Sequence, residues 1–192
     1  GTLINEKLVR PAYIRKRNKQ VPDEVTSTGN IIIAGFGRFG LVVGRLLLAN
    51  GFKVTILDSN PNNVEILRKY GFKLFYGDVT RPELLEAAGV KDARLLVLTM
   101  AEYDEALKIA AYLKKSYPKL RIAARARDTI HEFQFYKLGV KMVQRETFNS
   151  AVELATRSLH YLGFTRYQAH RAALIFKHHD NDTMQELYGH WL

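Results

Sequence analysis

The chain has 192 residues, 47% of them apolar and 25% charged, with a formal charge of +10 and no cysteine. That length carries one domain with a substantial core plus short appendages rather than two full domains, and the composition is that of a folded globular protein. The missing thiols exclude disulfides, thiolate metal sites and cysteine nucleophiles, no apolar run reaches the ~18 residues of a membrane span, and the positive charge asks for an anionic partner: nucleic acid, a membrane surface, an acidic protein or small anionic ligands.

Residues 1–29 show no sustained period and are expected to form a basic linker, with a short helix over residues 3–10 and a polar bridge over 21–29. Arg10, Arg15, Lys16, Arg17 and Lys19 crowd this stretch. Such a run is found just inside membranes, in nucleic-acid-binding arms and in plainly solvated linkers.

A β-branched run over 31–34 then meets Gly35, Gly37 and Gly40 in the Gly-x-Gly-x-x-Gly spacing. Phe39, Val42, Val43, Leu46 and Leu47 follow at helical spacing, Gly51 is a helix stop, and residues 53–57 read as a second strand that ends in Asp58. The glycines are what a pyrophosphate turn needs, and the first-turn amides of the helix, unpaired within it, face the phosphates together with Arg38. Asp58 stands where a carboxylate accepts hydrogen bonds from both ribose hydroxyls. No arginine follows it directly. A 2′-phosphate would meet a bare negative charge there, so NAD(H) or a simple adenosine nucleotide such as AMP is favoured over NADP(H).

The alternation continues. Ser59 or Asn60 caps a helix with Pro61 in its first turn that runs to Tyr70, and a third strand occupies 73–76. Thr80-Arg-Pro-Glu83 has capping-box spacing for a short helix, 94–98 is a fourth strand, and 104–117 is an amphipathic helix halted by Pro118. A fifth strand at 121–124, a helix over 129–138 and a short sixth strand at 141–143 complete the pattern. This is an α/β fold, a Rossmann-like doubly wound, mainly parallel six-stranded sheet of expected order 3-2-1-4-5-6, over residues 30–148. A C-terminal helical extension follows over 149–192, with one helix leading to Gly163 and a second spanning about 167–178.

The strand ends that face the nucleotide crevice bring Asp78 and Thr99 to it, although Asp78 in Gly-Asp-x-Thr is equally a turn and cap residue. A dehydrogenase needs a substrate domain of roughly a hundred residues as well, and the residues after the sheet read as two helices. His131, near a helix start, reads as a helix-face residue rather than a catalytic base. The run at 178–182, His-His-Asp-Asn-Asp, reads as a solvated polar turn rather than a metal site, because adjacent side chains diverge. No enzyme is expected. A nucleic-acid module has the net charge on its side and only the Gly163 corner as a helix-turn-helix feature.

Gly-Phe-Gly-Arg-Phe-Gly at 35–40, Gly-Arg-Leu-Leu-Leu at 44–48, Phe-Tyr-Gly-Asp at 75–78, Ala-Arg-Ala-Arg-Asp at 124–128 and Arg-Glu-Thr-Phe at 145–148 occur together in this chain. In that combination it resembles the KTN or RCK cytoplasmic regulatory domain of the bacterial Kef glutathione-gated potassium efflux systems. The resemblance implies a homodimer on the cytoplasmic face of the bacterial inner membrane, gating the membrane potassium/proton antiporter portion of the same protein. It implies closure by glutathione, opening by bulky glutathione adducts, an adenosine nucleotide in the crevice and an ancillary flavoprotein-like subunit, with no role for nucleic acid. By the matching motifs, Arg45, Tyr70 and Arg145 are expected to contact glutathione, with Asn181 or its neighbour Asp180 as the fourth contact. Each has a plain alternative: Arg45 a surface charge, Tyr70 a helix-end aromatic, Arg145 a partner for Glu146 or another acid, Asn181 a turn residue. The competing readings are a free-standing NAD(H)-dependent oxidoreductase and, third, a nucleic-acid-binding module. Leu154, Leu159, Leu162 and Phe176 offer more apolar surface than a small appendage buries on itself, which points to the dimer face.

Overall fold

A computed structural model describes residues 30–191. The basic linker and the helix expected within residues 1–29 lie outside them. The sheet strands are β1 (Asn30–Ala34), β2 (Lys53–Asp58), β3 (Lys73–Tyr76), β4 (Ala93–Leu98), β5 (Arg121–Ala126) and β6 (Met142–Arg145). The helices are α1 (Arg38–Ala49), α2 (Val64–Lys69), α3 (Pro82–Ala87), α4 (Tyr103–Ser116), α5 (Thr129–Lys137), α6 (Phe148–Tyr161) and α7 (Arg166–Trp191).

The strands pair in the order β3-β2-β1-β4-β5-β6, every pairing parallel. Such a sheet is buried on both faces, and the alternation along β1 shows how. Ile31 and Ile33 point to a core shared with Val54, Ile56, Leu67 and Phe72, beneath α1 and α2. Ile32 and Ala34 point to the other side, among Leu96, Leu98, Leu85 of α3, Ile109 and Leu113 of α4, and Phe135 of α5. The strand order reverses direction between β1 and β4, which opens a crevice at their carboxyl ends.

Three local expectations are corrected. On α1 the inner face is made by Gly40 and Gly44 with Leu41, Val43, Leu47 and Leu48 half-buried, whereas Val42 is 66% and Leu46 60% exposed. Glycines let the helix lie so close to the sheet that its small-residue stripe, not its bulkiest one, turns inward. Thr80 does not cap α3: Pro82 occupies the first turn and makes Arg81 the cap position, so Thr80 falls one residue too early and its hydroxyl donates to Asp78 Oδ1 at 2.6 Å. The last helix extends well beyond residue 178, to Trp191, and the 178–182 run lies inside it rather than in a turn. Its far half is fastened to α5 by ring contacts of Tyr188 with Phe133 at 5.3 Å and with Tyr136 at 5.6 Å. His178 Nδ1 pairs with Asp182 Oδ2 one turn on at 2.8 Å, and no metal-holding cluster occurs among the described residues.

Helices α6 and α7 pack on each other through buried Val152 and Ala169, with Phe148 stacked on Phe176 at 6.2 Å. Leu154, Leu162, Leu174, Ile175 and Phe176 remain largely exposed on this helix pair. No helix among the described residues is long and apolar enough to cross a membrane.

Candidate nucleotide crevice and ligand cleft

The crevice begins where β1 turns into α1. Gly35 has φ +89, and a Cβ there would lie 2.6 Å from Met100 Cα, so the turn can be made only by glycine. A Cβ on Gly40 would lie 2.6 Å from the Gly35 carbonyl oxygen and 2.8 Å from Thr99 Oγ1. Its absence lets the first turn of α1 sit directly on the turn. Gly37 is the N-cap, in extended conformation and without a side-chain cap bond, and no acidic residue stands in the first turn. The amide groups at the start of α1 are therefore left for an anion.

Around this turn, Gly35, Gly37, Asp58, Asp78 and Thr99 line one cleft of about 740 Å³, so the structure brings together five of the eight residues expected at the nucleotide. The other three stand beside it. Arg38 is exposed in the first turn of α1, Gly40 lies under the turn, and Phe39 is half-buried with the Arg125 guanidinium 5.4 Å from its ring centre.

Asp58 is only 8% exposed. Its Oδ1 accepts from the Asn60 amide at 3.0 Å and its Oδ2 from Asn63 Nδ2 at 2.8 Å, bonds that hold the carboxylate at the strand end. Asn63 Nδ2 also donates to the Phe36 carbonyl at 3.1 Å. A carboxylate has further lone pairs, which leaves each oxygen able to accept from a ribose hydroxyl. Asp78 is exposed and closes an Asx-type turn, accepting from the Thr80 hydroxyl and, at 2.9 Å, from its amide; those two bonds lower its pKa. Thr99 is buried, its hydroxyl 2.6 Å from the Gly35 carbonyl, so it ties β4 to the glycine turn.

Glu102, Glu105 and Arg125 also line the crevice and were missed in the sequence. Arg125 donates from Nη1 to the Thr99 carbonyl at 3.1 Å and ion-pairs with Glu146, which also accepts from the Tyr103 hydroxyl at 2.8 Å. Burial opposes ionisation of Glu146, yet the hydrogen bonds from Tyr103 and Arg125 outweigh it and hold the pKa below the ordinary carboxylate range. The signal that would have found Arg125 is its place at the carboxyl end of β5, on the same edge of the sheet as Asp78 and Thr99.

His131 sits on the inner face of α5, its amide capped by Asp128 at 2.9 Å. Its Nδ1 accepts from the Arg127 amide at 3.2 Å, so Nε2 carries the proton toward the Tyr103 carbonyl, also at 3.2 Å. Burial lowers its pKa. It is a satisfied neutral core histidine, with both nitrogens engaged.

The residues expected at glutathione fall into two groups. Arg45 lies over the ring of Tyr70, 5.5 Å from its centre, on the exposed α1–α2 edge. Arg145 and Asn181 line a cleft of about 560 Å³ between α5, β6 and α7. There Arg145 Nε is 3.4 Å from Glu132, its Nη2 pairs with Asp180, and its guanidinium lies 4.1 Å from the centre of the Phe148 ring. Glu146 is thus the partner of Arg125, not of Arg145. No described cleft holds both groups.

The sequence profile of the TrkA-N domain matches residues 31–146, and that of the potassium efflux system KefB C-terminal domain matches 150–192. The glutathione-regulated potassium-efflux system protein KefC of Salmonella arizonae is 43% identical over 157 residues, which are 82% of this chain and 25% of that protein. The chain therefore spans about a quarter of the length of the curated relatives it matches. A solved structure of the Shewanella denitrificans Kef CTD in AMP bound form superposes with a TM-score of 0.79 at 48% identity, covering 84% of this chain and 99% of that one. The TrkA-N domain of inner membrane protein ybaL from Escherichia coli shares the fold, with a TM-score of 0.61 at 24% identity over 71% of this chain and 97% of that one.

Proposed function

The chain belongs to the TrkA-N family as a Kef-type KTN/RCK regulatory domain, and from that premise we propose that it is the ligand-sensing domain that gates a membrane potassium/proton antiporter. In this reading glutathione holds the transporter closed, bulky glutathione adducts open it, and an adenosine nucleotide occupies the crevice. The observation that carries it is the 48% identity over 99% of a Kef domain whose structure is described as AMP bound, joined to a crevice here that ends in a nearly buried carboxylate, Asp58. Residues 1–29 serve as the linker, 30–148 as the nucleotide-binding domain and 149–192 as the extension that dimerises and completes the ligand site. The domain acts as a sensor, not an enzyme, on the cytoplasmic face of the bacterial inner membrane, with the membrane portion of the same protein and an ancillary flavoprotein-like subunit as partners.

In the crevice, AMP or NAD(H) places its ribose on Asp58 and its phosphate at the start of α1, beside Arg38 and Phe39, with Asp78 and Thr99 shaping the adenosine side. Glutathione carries two carboxylates and one ammonium, which guanidinium forks and neutral hydrogen-bonding groups can recognise. The two separated groups of candidate contacts support a site between protomers, with the Arg45–Tyr70 edge of one facing the Arg145 and Asn181 cleft of the other. Since the chain has no thiol, recognition of the peptide is non-covalent. A ligand shifts the gate only through its different affinity for the closed and open arrangements, and a bulky sulfur substituent supplies that difference by displacing packed side chains such as Tyr70.

The test is calorimetry with AMP, NADH, glutathione and an S-substituted glutathione, on the wild type and on Arg145→Ala. The mutant is expected to lose both peptides and keep the nucleotide. Wild-type affinity for both peptides in a folded Arg145→Ala would place the ligand elsewhere.

A further inference from the structure

The crevice has an unusual charge distribution for a nucleotide site. Its described lining carries four carboxylates, Asp58, Asp78, Glu102 and Glu105, and a single cation, Arg125. A phosphate entering that field is repelled unless a positive charge stands close to where it comes to rest. Arg38, the cation of the glycine motif, is exposed and outside the lining.

Arg125 meets the requirement by position. Its guanidinium lies 5.4 Å from the ring centre of Phe39, in the first turn of α1, so it flanks the helix start whose amides are uncapped by any side chain. The hydrogen bond from Nη1 to the Thr99 carbonyl at 3.1 Å holds the fork at the switch point of the sheet. Its side chain is 17% exposed, enough to be reached from the crevice. Its other side is engaged by Glu146, one residue beyond β6 and two before α6.

We propose that Arg125 is the residue that binds the phosphate of the nucleotide, exchanging part of its ion pair with Glu146 for the ligand's oxygens. This rests on the nucleotide reading above and adds to it the charge that makes the site selective for a nucleotide over its nucleoside. Guanidinium suits the task because its fork bonds two oxygens at once and can be shared between a carboxylate and a phosphate. Glu146 keeps the Tyr103 hydroxyl as a donor throughout, at 2.8 Å. The segment that leads into the C-terminal helices is thereby held by a contact that competes with the nucleotide.

The experiment compares AMP with adenosine by calorimetry on the 192-residue chain. It uses the wild type, Arg125→Gln, and Arg125→Gln combined with Glu146→Gln. The double variant neutralises the carboxylate that would otherwise be left unpaired, which keeps the fold if the single variant loses it. Both variants are expected to lose about tenfold or more in AMP affinity, as for a charged hydrogen bond, while adenosine binds as before. An AMP-to-adenosine preference that is undiminished in the folded double variant overturns the assignment. So does a wild type that binds the two equally, whereas a wild type that binds neither overturns the nucleotide reading itself.

Discussion

Replacing Asp58 tests the crevice most directly, and the structure changes what the replacement should do. If the carboxylate only touched ribose, Asp58→Ala would weaken binding and leave stability alone. Here it also accepts the Asn60 amide and Asn63 Nδ2, both within 3.0 Å, on a side chain only 8% exposed. Losing two such bonds at ~0.5–1.5 kcal/mol each lowers stability by about 1–3 kcal/mol. In a domain of this size each kcal/mol removes about 2–4 °C from Tm. Asp58→Asn separates the two effects: its oxygen can still accept from Asn60, whereas its amide faces the Asn63 amide, which is held by the Phe36 carbonyl at 3.1 Å. Roughly one internal bond is lost instead of two, while the charge and one ribose acceptor are gone. The expected loss in AMP binding is ~1.5–3 kcal/mol, about 10- to 150-fold in Kd. Thermal denaturation and calorimetry on the same preparations read both quantities. Wild-type AMP affinity in a folded Asp58→Asn would refute the ribose assignment.

Gly40→Ala drives a methyl against the Gly35 carbonyl at 2.6 Å, a backbone atom that cannot turn aside; a cost of ~1–3 kcal/mol in denaturant unfolding and loss of AMP binding are expected. Leu154 and Leu162, 68% and 79% exposed, lie on the proposed dimer face. Leu154→Glu with Leu162→Glu should shift sedimentation toward a monomer that keeps its secondary structure by circular dichroism, because both side chains are mostly exposed in their own protomer. A wild type that is monomeric at every concentration would remove that face from the argument. For His131, burial keeps the folded pKa below that of the unfolded chain. Its contribution is therefore complete above the unfolded value of about 6.5 and is lost as pH falls through the folded value. Stability measured by urea should fall on acidification from neutrality, and His131→Gln should flatten that part of the profile.

Much of this protein was legible in the sequence because it is written locally. The β-branched run, the glycine spacing, the helix stops and the single acid at position 58 each depend on neighbours a few residues away, and their repetition was enough to give the order of the parallel sheet. The tertiary structure decided whatever depends on residues far apart in the chain. Arg125 and Glu146 meet across β5 and the end of β6, and Arg145 chooses Glu132 and Asp180 over its sequence neighbour, because successive residues at a strand end point to opposite sides. The close seat of α1 on its glycines, which turns Val42 and Leu46 outward, is a packing outcome that hydrophobic periodicity alone ranks the wrong way. The last helix continues through a polar run of weak helical pattern because Tyr188 and Asp180 are fastened to α5 and β6, and such anchors override local propensity.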